Sequence, residues 1–156
     1  MSFLPEEYLL REALALGIKL SPQQTEQFMT YMEMLLEYNQ RVNLTSITER
    51  PEVVRKHFLD SLSVVKIANI CGRGMDVGAG AGFPGLPLAI AFPDVEMVLL
   101  DSLDKRVRFL KEVITTLGLT ARVQAIHSRV EDAGHLREHR ASYDIVLSRA
   151  VARLNL

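Results

Sequence analysis

The stretch MDVGAGAGFPGLP, Met75 to Pro87, places four glycines and two prolines directly behind a short apolar run. Gly78, Gly80 and Gly82 alternate as GxGxG. Glycine takes positive φ without steric cost and lets a ligand come close to the backbone. Such a loop is a candidate ligand cradle, with a purely tight connection as the competing reading. A literal GxGxxG also runs from Gly80 to Gly85, the pattern by which dinucleotide sites offer bare helix N–H groups to a pyrophosphate. It starts two residues late relative to the strand, and Pro84 removes one donor near the helix start. Counted from Gly78, the third glycine position is Phe83. No GK[ST] follows, so a lysine phosphate loop is absent. Asp76, two residues before Gly78, puts a carboxylate under the loop, which suits a cationic ligand and opposes a pyrophosphate. S-adenosylmethionine fits that profile: a sulfonium cation and an amino-acid head on adenosine, with no phosphate.

Other candidates stand at the ends of later strands. VEMVLLDS ends in Asp101 and Ser102, and Asp101 lies 23 residues after Gly78. An acid there accepts hydrogen bonds from ribose hydroxyls. Its competing role is to cap the helix starting near Asp104, a role better suited to Ser102 or Asp104. HSRVED brings Val130 and Glu131 to the end of the third strand, where an adenine ring would find an apolar face and a polar group. Glu131 or Asp132 could equally favour the next helix N-terminus. In LSRAVARL, Arg149 points from the fourth strand into the same crevice.

The pattern around these residues predicts the elements that carry them. Residues 1 to about 70 read as helices, forming an extension packed on a sheet. Leu4 to Leu16 ends at Gly17, a good helix stop. Ser21 is an N-cap, Pro22 the first helical residue and Gln24 the closing member of a capping box, with Phe28, Met32, Leu35 and Leu36 recurring behind them. That helix fades near Asn39, and NLTSIT is a polar connector. Pro51 opens a further helix with Val54, Phe58, Leu62 and Val65 on one face and Arg55, Lys56, His57 and Asp60 on the polar side. From Gly72 short apolar runs alternate with helices: strands at Gly74–Val77, Val95–Leu100, Arg122–His127 and Tyr143–Ser148, helices from Gly85, over Asp104 to Leu117, and near Glu131–His139. That alternation predicts a parallel α/β sheet, residues 71–156 forming the core.

Bulk properties agree. A chain of 156 residues is enough for one domain, and 48% apolar with 24% charged residues is globular composition. A net charge of −1 gives no global pull toward nucleic acid or membrane, so an RNA site must be a local basic patch. The single cysteine, Cys71, fits a reducing compartment, and the four histidines show no ligand spacing, so no metal is expected. The N-terminus lacks a signal-peptide pattern and no run reaches the ~20 apolar residues of a membrane helix, so a cytoplasmic location is expected.

Taken together, DVGAGAGFPGLPL, LLDSLDKRVRFL, SRVED and SRAVARL, with YMEMLLEYNQRVNLTSI and KHFLDSL upstream, resemble the ribosomal RNA small-subunit methyltransferase G family (RsmG, also called GidB) over essentially the whole chain. The resemblance implies a Rossmann-like S-adenosylmethionine-dependent methyltransferase with an N-terminal helical cap, methylating N7 of one guanosine in 16S ribosomal RNA. By position it puts Gly78 and Phe83 at the methionine side of the cofactor, Asp101 at the ribose, Val130 and Glu131 at the adenine, Arg149 near the methyl-transfer site, and Lys105 and Arg106 on the RNA-facing surface. The partner it implies is 16S rRNA or the small ribosomal subunit, with the full-length protein a monomer. The family's fold continues with further strands, whereas this chain stops at Leu156, so C-terminal strands are expected to be missing and activity of the chain does not follow.

Guanine N7 is a lone pair that needs no deprotonation, so no general base is expected and Arg149 would orient substrate through O6 or a phosphate. RNA contacts would fall to Arg55, Lys56, Lys105 and Arg106, joined by Arg41, Arg50, Arg108 and Lys111, each of which could equally be a solvated helix face. Two other readings remain: a non-catalytic adenosine-binding or ribosome-assembly module, and an NAD-dependent oxidoreductase, the latter disfavoured by Pro84 and Asp76.

Overall fold

Local signals and tertiary contacts converge on helix α2, Pro22–Tyr38, in a computed structural model that describes residues 4–129, 131–132 and 142–149. The Ser21 hydroxyl accepts from Gln24 N–H and the Gln24 side chain accepts from Ser21 N–H, closing the capping box. The same Gln24 amide donates to the carbonyls of Ile90 and Ala91, and Gln27 donates to the carbonyl of Leu117. These carbonyls lie at or just beyond the last turns of two later helices, where no intrahelical partner exists. Helix α2 therefore joins the sheet layer through polar staples as well as through its apolar face, Phe28, Tyr31, Met32 and Leu35.

Ahead of it, α1 spans Pro5–Ala15. After the 39–49 connector the chain does not form the single regular helix that its apolar spacing predicts. It runs as a short α3 (Arg50–Val53), a π-helical segment (Val54–Leu59), a short α4 (Asp60–Leu62) and a 3₁₀ turn (Ser63–Lys66). The wider π turn faces three consecutive residues inward, His57, Phe58 and Leu59. Val54, Phe58 and Leu62 are buried as expected, but His57, expected on the polar side, is buried with Phe58 and Leu59. Val65 is only half-buried.

Four parallel strands follow, β1 (Arg73–Val77), β2 (Glu96–Asp101), β3 (Val123–His127) and β4 (Ile145–Ser148), in the order β3-β2-β1-β4. Helix α5 (Gly85–Ala91) connects β1 to β2 and α6 (Asp104–Thr116) connects β2 to β3. Each strand lies within two residues of its predicted bounds. Residues 131–132 are helical, as expected there, and the rest of that predicted helix falls outside the described residues. Central β2 is buried from Met97 to Asp101, as a strand covered on both faces must be. β4 pairs only with β1 among the described residues, and Val146 is exposed.

One hydrophobic cluster crosses the change of class near residue 70. Leu9, Phe28, Tyr31, Leu35, Phe58 and Leu62 of the helical part share it with Leu86, Ile90, Leu99, Phe109 and Val123. Among the described residues no helix is long and apolar enough to cross a membrane.

Candidate functional site

The loop after β1 is pinned from two sides. Ala79 N–H donates to the carbonyl of Leu100 at 2.9 Å, and Gly80 N–H donates to Asp101 Oδ2 at 2.8 Å. From the helical part, the buried Tyr31 hydroxyl donates to the carbonyl of Ala81. Gly78, Gly80 and Gly82 all have positive φ, 69°, 58° and 107°. A side chain on Gly82 would run into Tyr31, Leu110 and Leu86, so this glycine serves packing against α2 and α6.

Gly78 is shared by two cavities. The first, about 290 Å³, is lined by Val77, Gly78, Leu100, Asp101, Ser102, Ser128, Arg129 and Glu131. It collects the ends of β1, β2 and β3, where open α/β sheets hold ligands. Gly78, Asp101, Ser102 and Glu131 thus come together as expected, and Val130 lies outside the described residues. Neither Ser102 nor Asp104 caps α6 with its side chain. Nor does Asp101: its Oδ1 accepts from the amide of Leu103, the residue before the first helical turn, at 2.9 Å while Oδ2 accepts from Gly80 N–H. Each carboxylate oxygen has a second acceptor position, so Asp101 can still receive two hydroxyl donors.

The second cavity, about 240 Å³, is lined by Leu44, His57, Gly78, Ala79, Gly80, Ala81, Phe83, Arg106 and Arg149. Arg106 stands between the two, its Nη1 3.8 Å from Asp101 Oδ2. Arg149 Nη2 donates to the carbonyl of Lys56 at 2.7 Å and lies 3.4 Å from Asp60 Oδ2. Its guanidinium sits 5.9 Å from the centre of the Phe83 ring, and its Nη1 is buried with no partner among the described residues. His57 stacks flat on Phe83, with ring centres 4.3 Å apart and 6° between planes. Burial, helped by the Arg149 charge, pushes the His57 pKa down to about 4, so the ring is neutral at physiological pH.

Asp76 departs from its expected place. It lines neither cavity, is fully buried, and accepts from Gly85 N–H at 2.8 Å. Gly85 permits that approach because a Cβ there would meet Leu99 and Asp76 itself. Burial, reinforced by Asp101, raises the Asp76 pKa to about 8 against the lowering by Gly85 N–H and Arg149, so at neutral pH it is a neutral acid rather than a carboxylate facing a cation.

Of the expected RNA-facing cations, Arg106 turns into the second cavity, whereas Arg55 and Lys56 both pair with Glu52 on the helical part. Lys105 is exposed on α6. Arg50 pairs with Glu33 and Arg108 with Asp104. Sequence reasoning missed Tyr31, His57, Leu44, Ser128 and Arg129 as site residues. Ser128 and Arg129 open the SRVED stretch and were within reach of it; Tyr31 is not among the recurring positions read on α2, and His57, four residues after the buried Val53, is set on the polar side for its side-chain type.

Four parallel strands ordered β3-β2-β1-β4, with a glycine loop behind β1 and an acid closing β2, define a Rossmann-like methyltransferase fold. A solved structure described as a protein-L-isoaspartate O-methyltransferase from Plasmodium falciparum, in complex with S-adenosyl-L-homocysteine, shares it with a TM-score of 0.52 and 16% identity, over 94% of this chain and 74% of that one. The chain belongs to the GidB family, rRNA small subunit methyltransferase G, whose profile matches residues 24–156. It is 50% identical over 143 residues to the ribosomal RNA small subunit methyltransferase G of Alkaliphilus metalliredigens, covering 90% of this chain and 59% of that protein. It is also 50% identical over 150 residues to the protein of the same name from Desulforamulus reducens, covering 95% and 62%. The chain therefore spans about three fifths of the length of these curated relatives.

Proposed function

We propose that the protein is an S-adenosylmethionine-dependent methyltransferase acting on N7 of a guanosine in 16S ribosomal RNA, working in the cytoplasm on the rRNA or the small ribosomal subunit. The observation that carries this reading is the pair of cavities meeting at Gly78, one closed by the acid Asp101 and the other by the cations Arg106 and Arg149. Family membership supports it.

The donor set of the first cavity fits adenosine. Asp101 retains two acceptor positions for ribose hydroxyls, and Ser102, Ser128 and Glu131 offer further polar contacts beside the apolar Val77 and Leu100. When bound, S-adenosylmethionine supplies an electrophilic methyl group on a sulfonium. Gly78 allows close approach at the point shared by both cavities. In the second cavity Arg106 and Arg149 supply cations for a phosphate or for guanine O6, leaving N7 free. No residue has to take a proton, because N7 already carries a lone pair. The contribution of the chain is orientation, which can supply about 7–11 kcal/mol of barrier reduction in well-aligned systems. Exposed Lys105 and the ion-paired Arg55 and Lys56 remain candidates for backbone contacts, since surface pairs are worth only ~0–1 kcal/mol and exchange readily for phosphate.

The test is a methyl-transfer assay with the intact protein on 16S rRNA and on small subunits, with calorimetry of S-adenosylhomocysteine and NAD alongside. Expected are guanine-N7 methylation and binding of S-adenosylhomocysteine alone. Cofactor binding without transfer to any rRNA substrate would favour a non-catalytic assembly module, and tighter NAD binding would favour an oxidoreductase.

A further inference from the structure

His57 is placed at some cost and held with unusual care. It is buried within the π-helical segment Val54–Leu59, and π turns inside helices are frequent at functional sites. Two consecutive carbonyls of that segment are tied by side chains: Arg149 donates to Lys56 O, and the Ser61 hydroxyl donates to His57 O. The imidazole lies flat on Phe83, which immediately follows the glycine loop. Its Nε2 is 2.8 Å from Thr45 Oγ1. Thr45 is itself fixed. Its hydroxyl oxygen accepts from Ile47 N–H, the Asn39 side chain accepts from Leu44 and Thr45 N–H, and the Asn39 amide donates to Thr45 O. A chain of contacts thus runs from Asn39 through Thr45 and His57 to Phe83 and the wall of the second cavity.

Packing alone does not ask for a histidine here. Its Nδ1 is buried with no hydrogen-bond partner among the described residues, and burying a polar nitrogen unpaired is unfavourable. A phenylalanine would stack on Phe83 without that cost. What the imidazole adds is a directional bond between its Nε2 and Thr45 Oγ1, which fixes the ring in its plane.

We propose that His57 is a positioning residue for methyl transfer: anchored by Thr45, its ring holds Phe83 and thereby the wall of the cavity that receives the acceptor guanine. The proposal rests on the functional reading above and assigns to that same site a residue which acts through Phe83 rather than on the cofactor.

Thr45→Val, His57→Phe and His57→Ala in the intact protein separate the parts. Thr45→Val keeps the ring and removes its anchor, His57→Phe keeps the stack and removes the anchored nitrogen, and His57→Ala removes both. Expected are a fall of roughly threefold to tenfold in the methyl-transfer rate for Thr45→Val and for His57→Phe, with a larger fall for His57→Ala. The affinity for S-adenosylhomocysteine should fall by less than the rate in each variant. Imidazole ¹⁵N shifts, which need no substrate, should report a hydrogen-bonded Nε2 of His57 in the wild type and the loss of that bond in Thr45→Val. A merely structural role would lower stability without changing the rate per folded molecule. Unchanged rates per folded molecule in Thr45→Val and His57→Phe, or an Nε2 shift that Thr45→Val leaves unaltered, would overturn the positioning role. A wild type inactive on every guanosine substrate would instead overturn the functional reading and the positioning role with it.

Discussion

Replacing Asp76 by asparagine isolates one buried proton. The carboxyl is fully buried at the end of β1, one oxygen accepting from Gly85 N–H and the other without a partner among the described residues. Its pKa is raised, chiefly by burial, from an ordinary 3.8 to about 8. Between those values the folded chain holds a proton that the unfolded chain has released. The associated stability is therefore complete below about pH 3.8 and is lost as the pH rises through about 8. Linkage arithmetic gives this group about 3 kcal/mol at pH 6 and less than about 1 kcal/mol at pH 8, a loss of roughly 2 kcal/mol. Asparagine keeps the oxygen that accepts from Gly85 and cannot titrate, so Asp76→Asn should lose this pH dependence. The assay is denaturant unfolding of both proteins at pH 6, 7 and 8, read at constant m. At pH 6 the two should differ by no more than about 1 kcal/mol, the scale of one ordinary hydrogen bond. At pH 8 the variant should be the more stable relative to that baseline by about 2 kcal/mol. Parallel pH profiles would refute the reasoning and mean that Asp76 is ionised where it lies.

Three further outcomes are expected. Asp101→Ala should weaken S-adenosylhomocysteine binding roughly tenfold to a hundredfold by calorimetry, from about 1.5–3 kcal/mol for a charge-assisted bond. It should also lower stability, because Gly80 and Leu103 N–H lose their acceptor; unchanged affinity would leave Asp101 with only its loop-pinning task. Arg149→Ala should reduce methyl transfer more than cofactor affinity, and a parallel fall of both would make Arg149 a cofactor contact. Tyr31→Phe removes the donor to Ala81 O and should destabilise the fold by ~1–3 kcal/mol in chemical denaturation, the cost of a buried acceptor left without its partner, while leaving helix content by circular dichroism unchanged.

Periodicity and capping chemistry made the elements legible. Ser21, Pro22 and Gln24 act through bonds within four residues of each other, so the capping box could be read directly and is present. The alternation of short apolar runs with helices likewise located β1 to β4, although only the central β1 and β2 are buried along most of their length and β3 and β4 alternate toward exposure. Asp76 could not be read the same way, and His57 was not. The polarity of Asp76 suggested a charge at the loop, but its pKa is decided by how α5 closes over β1, a contact between residues nine apart whose geometry spacing does not give. His57 is set with Arg55 and Lys56 on the polar side for its side-chain type, although it stands four residues after Val53 and three after Val54, both buried. Tyr31 reaches Ala81 across 50 residues of chain, and nothing local announces such a bond.

These long-range contacts bear on how residues 1–70 and the sheet are to be divided. An extension that only covered a sheet would contribute apolar area and leave the loop to the strands. Here the glycine loop donates to β2 at Leu100 O and Asp101 Oδ2 and accepts from α2 through Tyr31, and the second cavity is lined by Leu44 and His57 as well as by Phe83 and Arg149. Arg149, at the end of β4, closes the connection by donating to Lys56 O in the π segment. We propose on these grounds that the helical part and the sheet form one cooperative unit, with the site built across their junction. A misplacement of about 1 Å can cost ~100-fold in rate, so a site of this kind cannot tolerate two independently moving halves. Removing residues 1–70 should therefore abolish the cooperative unfolding transition of the remainder and its binding of S-adenosylhomocysteine together. A remainder that still folds and binds with unchanged affinity would show that the helices are a separable cap.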